Sequence, residues 1–127
     1  VVSMAPVHGR DVGHVEGSSA EPVPEVDALV TTVPGLALLV VAADCVPVLL
    51  ADGDAVVVAV VHAGWRDVRS DVVGAALESM VELGARGDHV RAVVGPAICG
   101  SCYDVTRERF DEVVAVAPAA ASVATSR

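Results

Sequence analysis

Apolar residues crowd the middle of this chain, and they arrive in short bursts rather than long runs. Val46 to Ala51 is one burst and Ala55 to Val61 is another, with Asp52-Gly53-Asp54 between them. Gly supplies the positive φ of a tight turn, so the two bursts read as an antiparallel hairpin. If Gly53 and Asp54 are its two turn residues, Cys45 stands directly across from His62 on one face, with Cβ atoms about 5 Å apart. Upstream, Ala28 to Val33 and Leu36 to Val41 read as strands split by a Pro34-Gly35 turn. Downstream, Val68, Val72, Ala76 and Met80 recur at i, i+4 spacing beside a stripe of Val73, Leu77 and Val81, which predicts a helix over 68–83. Asp67, Ser70 or Asp71 can cap its start, Gly84 can close it, and Gly74 inside it weakens it. Val90 to Val94 reads as a strand that ends at Gly95-Pro96, and Thr106 to Ala117 as a helix with Val113 and Val114 inward. Residues 1–25, rich in Gly, Pro and Ser, read as loop, and 118–127 as a fraying Ala/Ser-rich end. Strands outnumber helices, so the expected fold is α/β of the mixed α+β kind, a mixed sheet with helices packed on it.

The length of 127 residues suits one domain over 1–127, and a hydrophobic content of 54% is enough for a real core. The formal net charge is −9, and every basic residue is Arg. That balance argues against a non-specific partner among nucleic acids or anionic membranes, while one local Arg can still serve a small anionic substrate. A single Trp, Tyr and Phe argue against aromatic stacking platforms. Asp44, Asp52 and Asp54 interrupt the longest apolar stretch, which falls short of the ~18 residues of a membrane helix. No basic segment with a small-residue cleavage site opens the chain, and three cysteines are an odd count for a disulfide framework. The cytoplasm is the expected location.

The chemistry concentrates in a few residues. His8, Cys45 and His62 together offer the Cys-His-His set that a catalytic zinc site uses, with a fourth position left for water. The bland readings stand beside it: a lone buried cysteine is ordinarily a small hydrophobe, and a lone His in a Gly/Pro-rich loop is ordinarily a surface residue. His62 is the stronger signal, because it ends a buried strand at the start of a turn. His14 and His89 have polar surroundings and carry no expected role. Arg66, beside a helix start, can form an anion pocket for phosphate, or simply pair with Asp67 or Asp71. Asp44 can orient a ligand histidine or merely end a strand. Cys99-Gly100-Ser101-Cys102 has the spacing of a redox pair or of half a zinc knuckle. No second C-x-x-C accompanies it, and it follows Gly95-Pro96 late in the chain rather than opening an early helix.

These residues also spell a pattern. "VHG" at Val7 to Gly9, "DALVT" at Asp27 to Thr31, "ADCVPVLLAD" at Ala43 to Asp52, "HAGWR" at His62 to Arg66, and "GPAI" followed by "CYDV" at Gly95 to Val105 resemble, in order and over nearly the whole chain, the YfiH-like family. Its members go under the names laccase-domain or polyphenol oxidase proteins, peptidoglycan editing factors and purine nucleoside phosphorylases. The resemblance implies a mixed α/β sandwich and a zinc site of His8, Cys45 and His62. It implies phosphorolysis of adenosine, inosine or methylthioadenosine to base and ribose 1-phosphate, with adenosine deamination in some members, and so purine nucleoside and phosphate as partners. Independently of the resemblance, the place of Arg66 beside a helix start makes it the residue expected to meet the phosphate, and Tyr103 is expected on the substrate side. Copper is disfavoured, since multicopper centres need far more than the four histidines present. Where the family has Gln, Thr, Gly and Gly, this chain has Pro6, Ala43, Asp67 and Cys99. Members are longer at both ends, so a shortened or partial chain is expected, a monomer unless exposed sheet edges drive association. The rival readings are a cysteine hydrolase or deamidase with Cys45 as nucleophile and His62 as base, and a non-enzymatic relative.

Overall fold

The computed structural model describes residues 1–123, so the reading of 124–127 as part of a fraying end lies outside the described residues. The central element is a five-stranded mixed sheet. Its strands are β2 (Val12–His14), β4 (Ala28–Thr31), β6 (Val46–Asp52), β7 (Val57–Ala63) and β8 (Arg91–Val94), in the order β2-β4-β7-β6-β8. The pair β2–β4 is parallel and the other three pairs are antiparallel. A second, three-stranded parallel sheet of β3 (Val23–Pro24), β1 (Val2–Ala5) and β5 (Leu38–Leu39) lies against one face. The helices are α1 (Trp65–Arg69), α2 (Val72–Glu82) and α3 (Arg107–Val116), with 3-10 turns at Gly87–His89 and Pro118–Val123.

Burial follows the pleat. Val48, Leu50, Ala59 and Val61 point to one side and pack with Val72, Ala76 and Met80 of α2. Leu29 and Val60 point to the other side and meet Val2 and Met4 of β1. All four residues of β4 are therefore buried, because both faces of that strand are covered. The cover is incomplete at β8, whose four residues are all exposed at the sheet edge.

The N-terminal segment is not the loop that its composition implies. It contributes β1, β2 and β3, which are short and pair in parallel with strands distant in the chain. The stretch 36–41 shrinks to β5 and joins the small sheet, separate from β4. The expected helix over 68–83 is two helices. Asp71 takes a left-handed conformation (φ 60°) at the break and caps α2 through the Gly74 N–H at 3.2 Å. A Cβ at Gly74 would collide with the Asp71 carboxylate, so the glycine serves the cap. At the other end Gly84 (φ 104°) closes α2, with its N–H on Val81 O and that of Ala85 on Met80 O, a Schellman pattern. Thr106 caps α3 through Arg109 N. Val113 and Val114 of α3 are half-buried.

The hairpin forms, in a different register. Pro47, rather than Cys45, pairs with His62, and Asp52 pairs with Val57. The reason is the turn, which has four residues instead of two. The buried Asp52 accepts N–H bonds from Asp54 and Ala55 at 3.0 and 3.2 Å through Oδ1 and from Arg86 at 2.8 Å through Oδ2, while Val56 takes φ 55°. The bond from Arg86 first, then that from Ala55, holds the Asp52 carboxyl below its usual range. Its stabilising share is thus complete above the ordinary carboxyl pKa of about 3.9 and is lost as pH falls through the lower folded value. Asp52→Asn should melt below wild type at pH 7, with the gap narrowing in melts run progressively below about pH 4. A gap that stays constant over that range would remove the charge from the account.

Candidate metal centre

Three segments converge where the hairpin opens. β7 carries His62 to its end, where the backbone N–H bonds to Asp27 O at 2.8 Å. Cys45 lies one residue before β6, so continuing the ladder by one pair sets it across from Gly64. His8 sits in the loop after β1 in a left-handed conformation (φ 61°). One donor atom from each of His8, Cys45 and His62 lies within 4.8 Å of the others. The direct pairing expected of Cys45 and His62 is replaced by this three-way meeting, to which His8 folds back.

Gly64 keeps the space open. A Cβ there would stand 2.9 Å from Cys45 Sγ, 2.9 Å from Asp67 Oδ2 and 3.2 Å from His8 Nδ1. Two fully buried carboxylates hold the arrangement. Asp27 accepts the N–H of His8 at 2.9 Å on Oδ1, and those of Gly9 and Val7 at 2.9 and 3.3 Å on Oδ2, which fastens the His8 loop. Asp67 accepts the Gly64 N–H at 2.6 Å and places Oδ2 3.3 Å from Nδ1 of both His8 and His62. Asp27 Oδ1 lies 3.5 Å from His62 Nδ1. Among the described residues His62 Nδ1 and Asp67 Oδ1 are buried without a hydrogen-bond partner. A sulfur and two imidazoles around a glycine-lined gap, backed by carboxylates beside the rings, fit a metal ion.

The thiol argues the same way. Burial first, then the charges of Asp67 and Asp44, push the Cys45 pKa up. A cysteine nucleophile needs the opposite shift, whereas a bound cation supplies it. Sequence reasoning passed over Asp27 and Asp67 as site groups and looked to Asp44. The carbonyl of Asp44 instead accepts the Ile98 N–H at 3.1 Å, and no contact of its carboxylate with a histidine is found among the described residues. A second cluster, Asp52, Asp54 and His89, is tied into the fold by the three N–H bonds of Asp52 and the 3.1 Å His89–Asp54 contact. His14 ends β2, exposed.

Arg66 is the second residue of α1, not a residue ahead of the helix, and Asp67 turns inward rather than pairing with it. The Arg66 guanidinium is exposed and lies 4.8 Å over the Trp65 ring, with Arg109 at 4.6 Å from the same ring. Neither side chain pairs with a carboxylate among the described residues. Tyr103 joins Trp65, Arg109 and Phe110 around a groove of about 220 Å³. The three aromatic residues of the chain thus meet in one place, which their low number did not foretell.

Over residues 1–127 the chain matches the family described as multi-copper polyphenol oxidoreductase laccase. It is 52% identical over 121 residues to a purine nucleoside phosphorylase of Streptomyces coelicolor, covering 94% of this chain and 50% of the relative. An adenosine deaminase of an unknown prokaryotic organism is 46% identical over 89 residues, 70% of this chain and 32% of that one. Among solved structures, the Bacillus licheniformis protein YfiH superposes with a TM-score of 0.81 at 28% identity, over 87% of this chain and 45% of its own. The chain spans about half the length of the Streptomyces relative.

Proposed function

This chain belongs to the multi-copper polyphenol oxidoreductase laccase (YfiH-like) family, and from that premise we propose that it carries the zinc centre of a purine nucleoside phosphorylase. The observation that carries the reading is the convergence of His8, Cys45 and His62 on the gap beside Gly64. In the reaction a phosphate oxygen bonds C1′ of the ribose as the bond to the purine nitrogen breaks. The base leaves with the electron pair and takes up a proton, and ribose 1-phosphate remains. Zinc held by the three residues would keep one position open and supply Lewis acidity to an oxygen there.

The protein's own groups have distinct tasks in this reading. Asp67 and Asp27 orient the imidazoles and the His8 loop. Arg66, exposed on Trp65, receives the phosphate, and Tyr103 faces the nucleoside. Residues 1–127 act as one laccase-domain unit in the cytoplasm, on small molecules rather than nucleic acid or membrane; no helix of the described residues is long and apolar enough to cross one. The unit is a monomer when dilute and associates through the exposed β8 edge when concentrated, read as a mass that rises with concentration in light scattering. A second reading, deamination of adenosine to inosine and ammonia, is favoured by the deaminase relative.

Elemental analysis of the purified chain tests the centre, with about one zinc per chain expected. Carefully prepared protein without metal would overturn it. Adenosine incubated with and without phosphate separates the chemistries. Adenine and ribose 1-phosphate, formed only with phosphate, are expected. Inosine and ammonia formed regardless of phosphate would establish the deaminase instead.

A further inference from the structure

One motif of the sequence is not used by the metal centre. Past β8, the Gly95 N–H bonds to Pro47 O at 2.9 Å and the Ile98 N–H bonds to Asp44 O at 3.1 Å. These two bonds pin the chain to β6 and the residues just ahead of it, immediately before Cys99. The next four residues make a turn closed by the Cys102 N–H on Cys99 O at 3.0 Å. Such a turn keeps its end Cα atoms within about 7 Å, close to the span a disulfide bridges. Both cysteines are free and exposed. Gly100 inside the turn and Tyr103 just after it line the groove that holds Trp65.

We infer that Cys99 and Cys102 are a reversible dithiol–disulfide site, oxidised by small-molecule disulfides, whose state sets one wall of the Trp65 groove. Local chemistry prepares Cys99 to react first. Its Sγ lies 3.0 Å from Ser101 Oγ, and hydrogen bonds from Ser101 and then Cys102 lower its pKa to about 7. A substantial thiolate fraction is therefore present at neutral pH, where thiol–disulfide exchange is efficient. The Cys99 thiolate attacks one sulfur of the small disulfide, whose S–S bond breaks and releases one small thiol. The Cys102 thiolate then attacks the Cys99 sulfur of the mixed disulfide and releases the second small thiol. The protein loses two electrons and two protons, and the small disulfide gains them. The new bond spans Gly100 and Ser101, so it restrains the groove wall without touching the metal ligands.

Oxidised glutathione added to the full chain near neutral pH is the test, read by intact mass, peptide mapping and the emission of Trp65, the single tryptophan. Wild type should lose two hydrogens, with the link mapped between Cys99 and Cys102 and reversed by a dithiol reductant. Cys102→Ser should stop at one glutathione on residue 99, and Cys99→Ser should react more slowly than either. Trp65 emission should change on oxidation of wild type and stay constant in the double variant C99S/C102S. A wild-type chain that keeps a mixed disulfide, or forms its link through Cys45, overturns the site. Formation of the link with unchanged Trp65 emission overturns its coupling to the groove.

Discussion

Gly64→Ala is expected to abolish metal binding and to destabilise the fold by about 1–3 kcal/mol. The added Cβ would enter the gap between Cys45 Sγ, Asp67 Oδ2 and His8 Nδ1, all within 3.2 Å of it. Two of these cannot retreat cheaply. Asp67 is fully buried and bonded to the Gly64 N–H itself, and Cys45 has a single side-chain torsion with which to move. Cys45→Ser provides the contrast, since it removes the soft ligand but keeps nearly the same volume. It should lose the metal with little change in the denaturation midpoint of the metal-free chain. Zinc content and urea denaturation of the two variants after chelator treatment separate the effects. A Gly64→Ala chain with full zinc and an unchanged midpoint would refute the view that the glycine reserves the space.

Asp27→Ala is the second large effect. The carboxylate gathers the N–H groups of Val7, His8 and Gly9, and it also lies beside His62. Its loss leaves those donors without an acceptor and costs roughly 3 kcal/mol. The same loss frees His8 from its left-handed backbone, a conformation that costs a non-glycine residue about 1 kcal/mol and persists only where contacts impose it. Zinc affinity should fall about 10–100-fold, as it does when a group that orients a ligand is removed. Competition against a calibrated chelator measures the second effect and equilibrium denaturation the first. Wild-type zinc affinity in Asp27→Ala would show that His8 reaches the centre without this anchor.

Much of the frame was legible before the structure. The hairpin, β8 and α3 follow from periodicity and turn residues within a residue or two at their ends, and α2 does so at its closing Gly84, though its start lies four residues later than expected. His8, Cys45 and His62 were legible as a set only through their shared chemistry and the family pattern. The register was not, because it depends on a four-residue turn that places Val56 at positive φ, where sequence rules do not put a β-branched residue. Strands β1, β2 and β3 escaped because each is short, contains or adjoins a Gly or Pro, and is stabilised by partners far along the chain. Asp67 read only as a helix cap or a partner of Arg66, and Asp27 only as part of a family motif, since burial of a carboxylate is decided by the donors that surround it. The donors to Asp27 come from a segment that only the fold brings to it, whereas Asp67 takes the N–H of Gly64 three residues earlier.

The convergence of three distant segments has a bearing on the order of events during folding. His8 reaches Cys45 and His62 only after β1 has paired with β5 and β4 with β7, contacts of long sequence separation whose chain-closure cost precedes any reward. A metal ion arriving at the nascent chain finds its ligands scattered along an extended polymer. On the proposed reading the chain therefore folds first and takes up an ion afterwards, so that the metal-free chain is expected to be folded rather than collapsed.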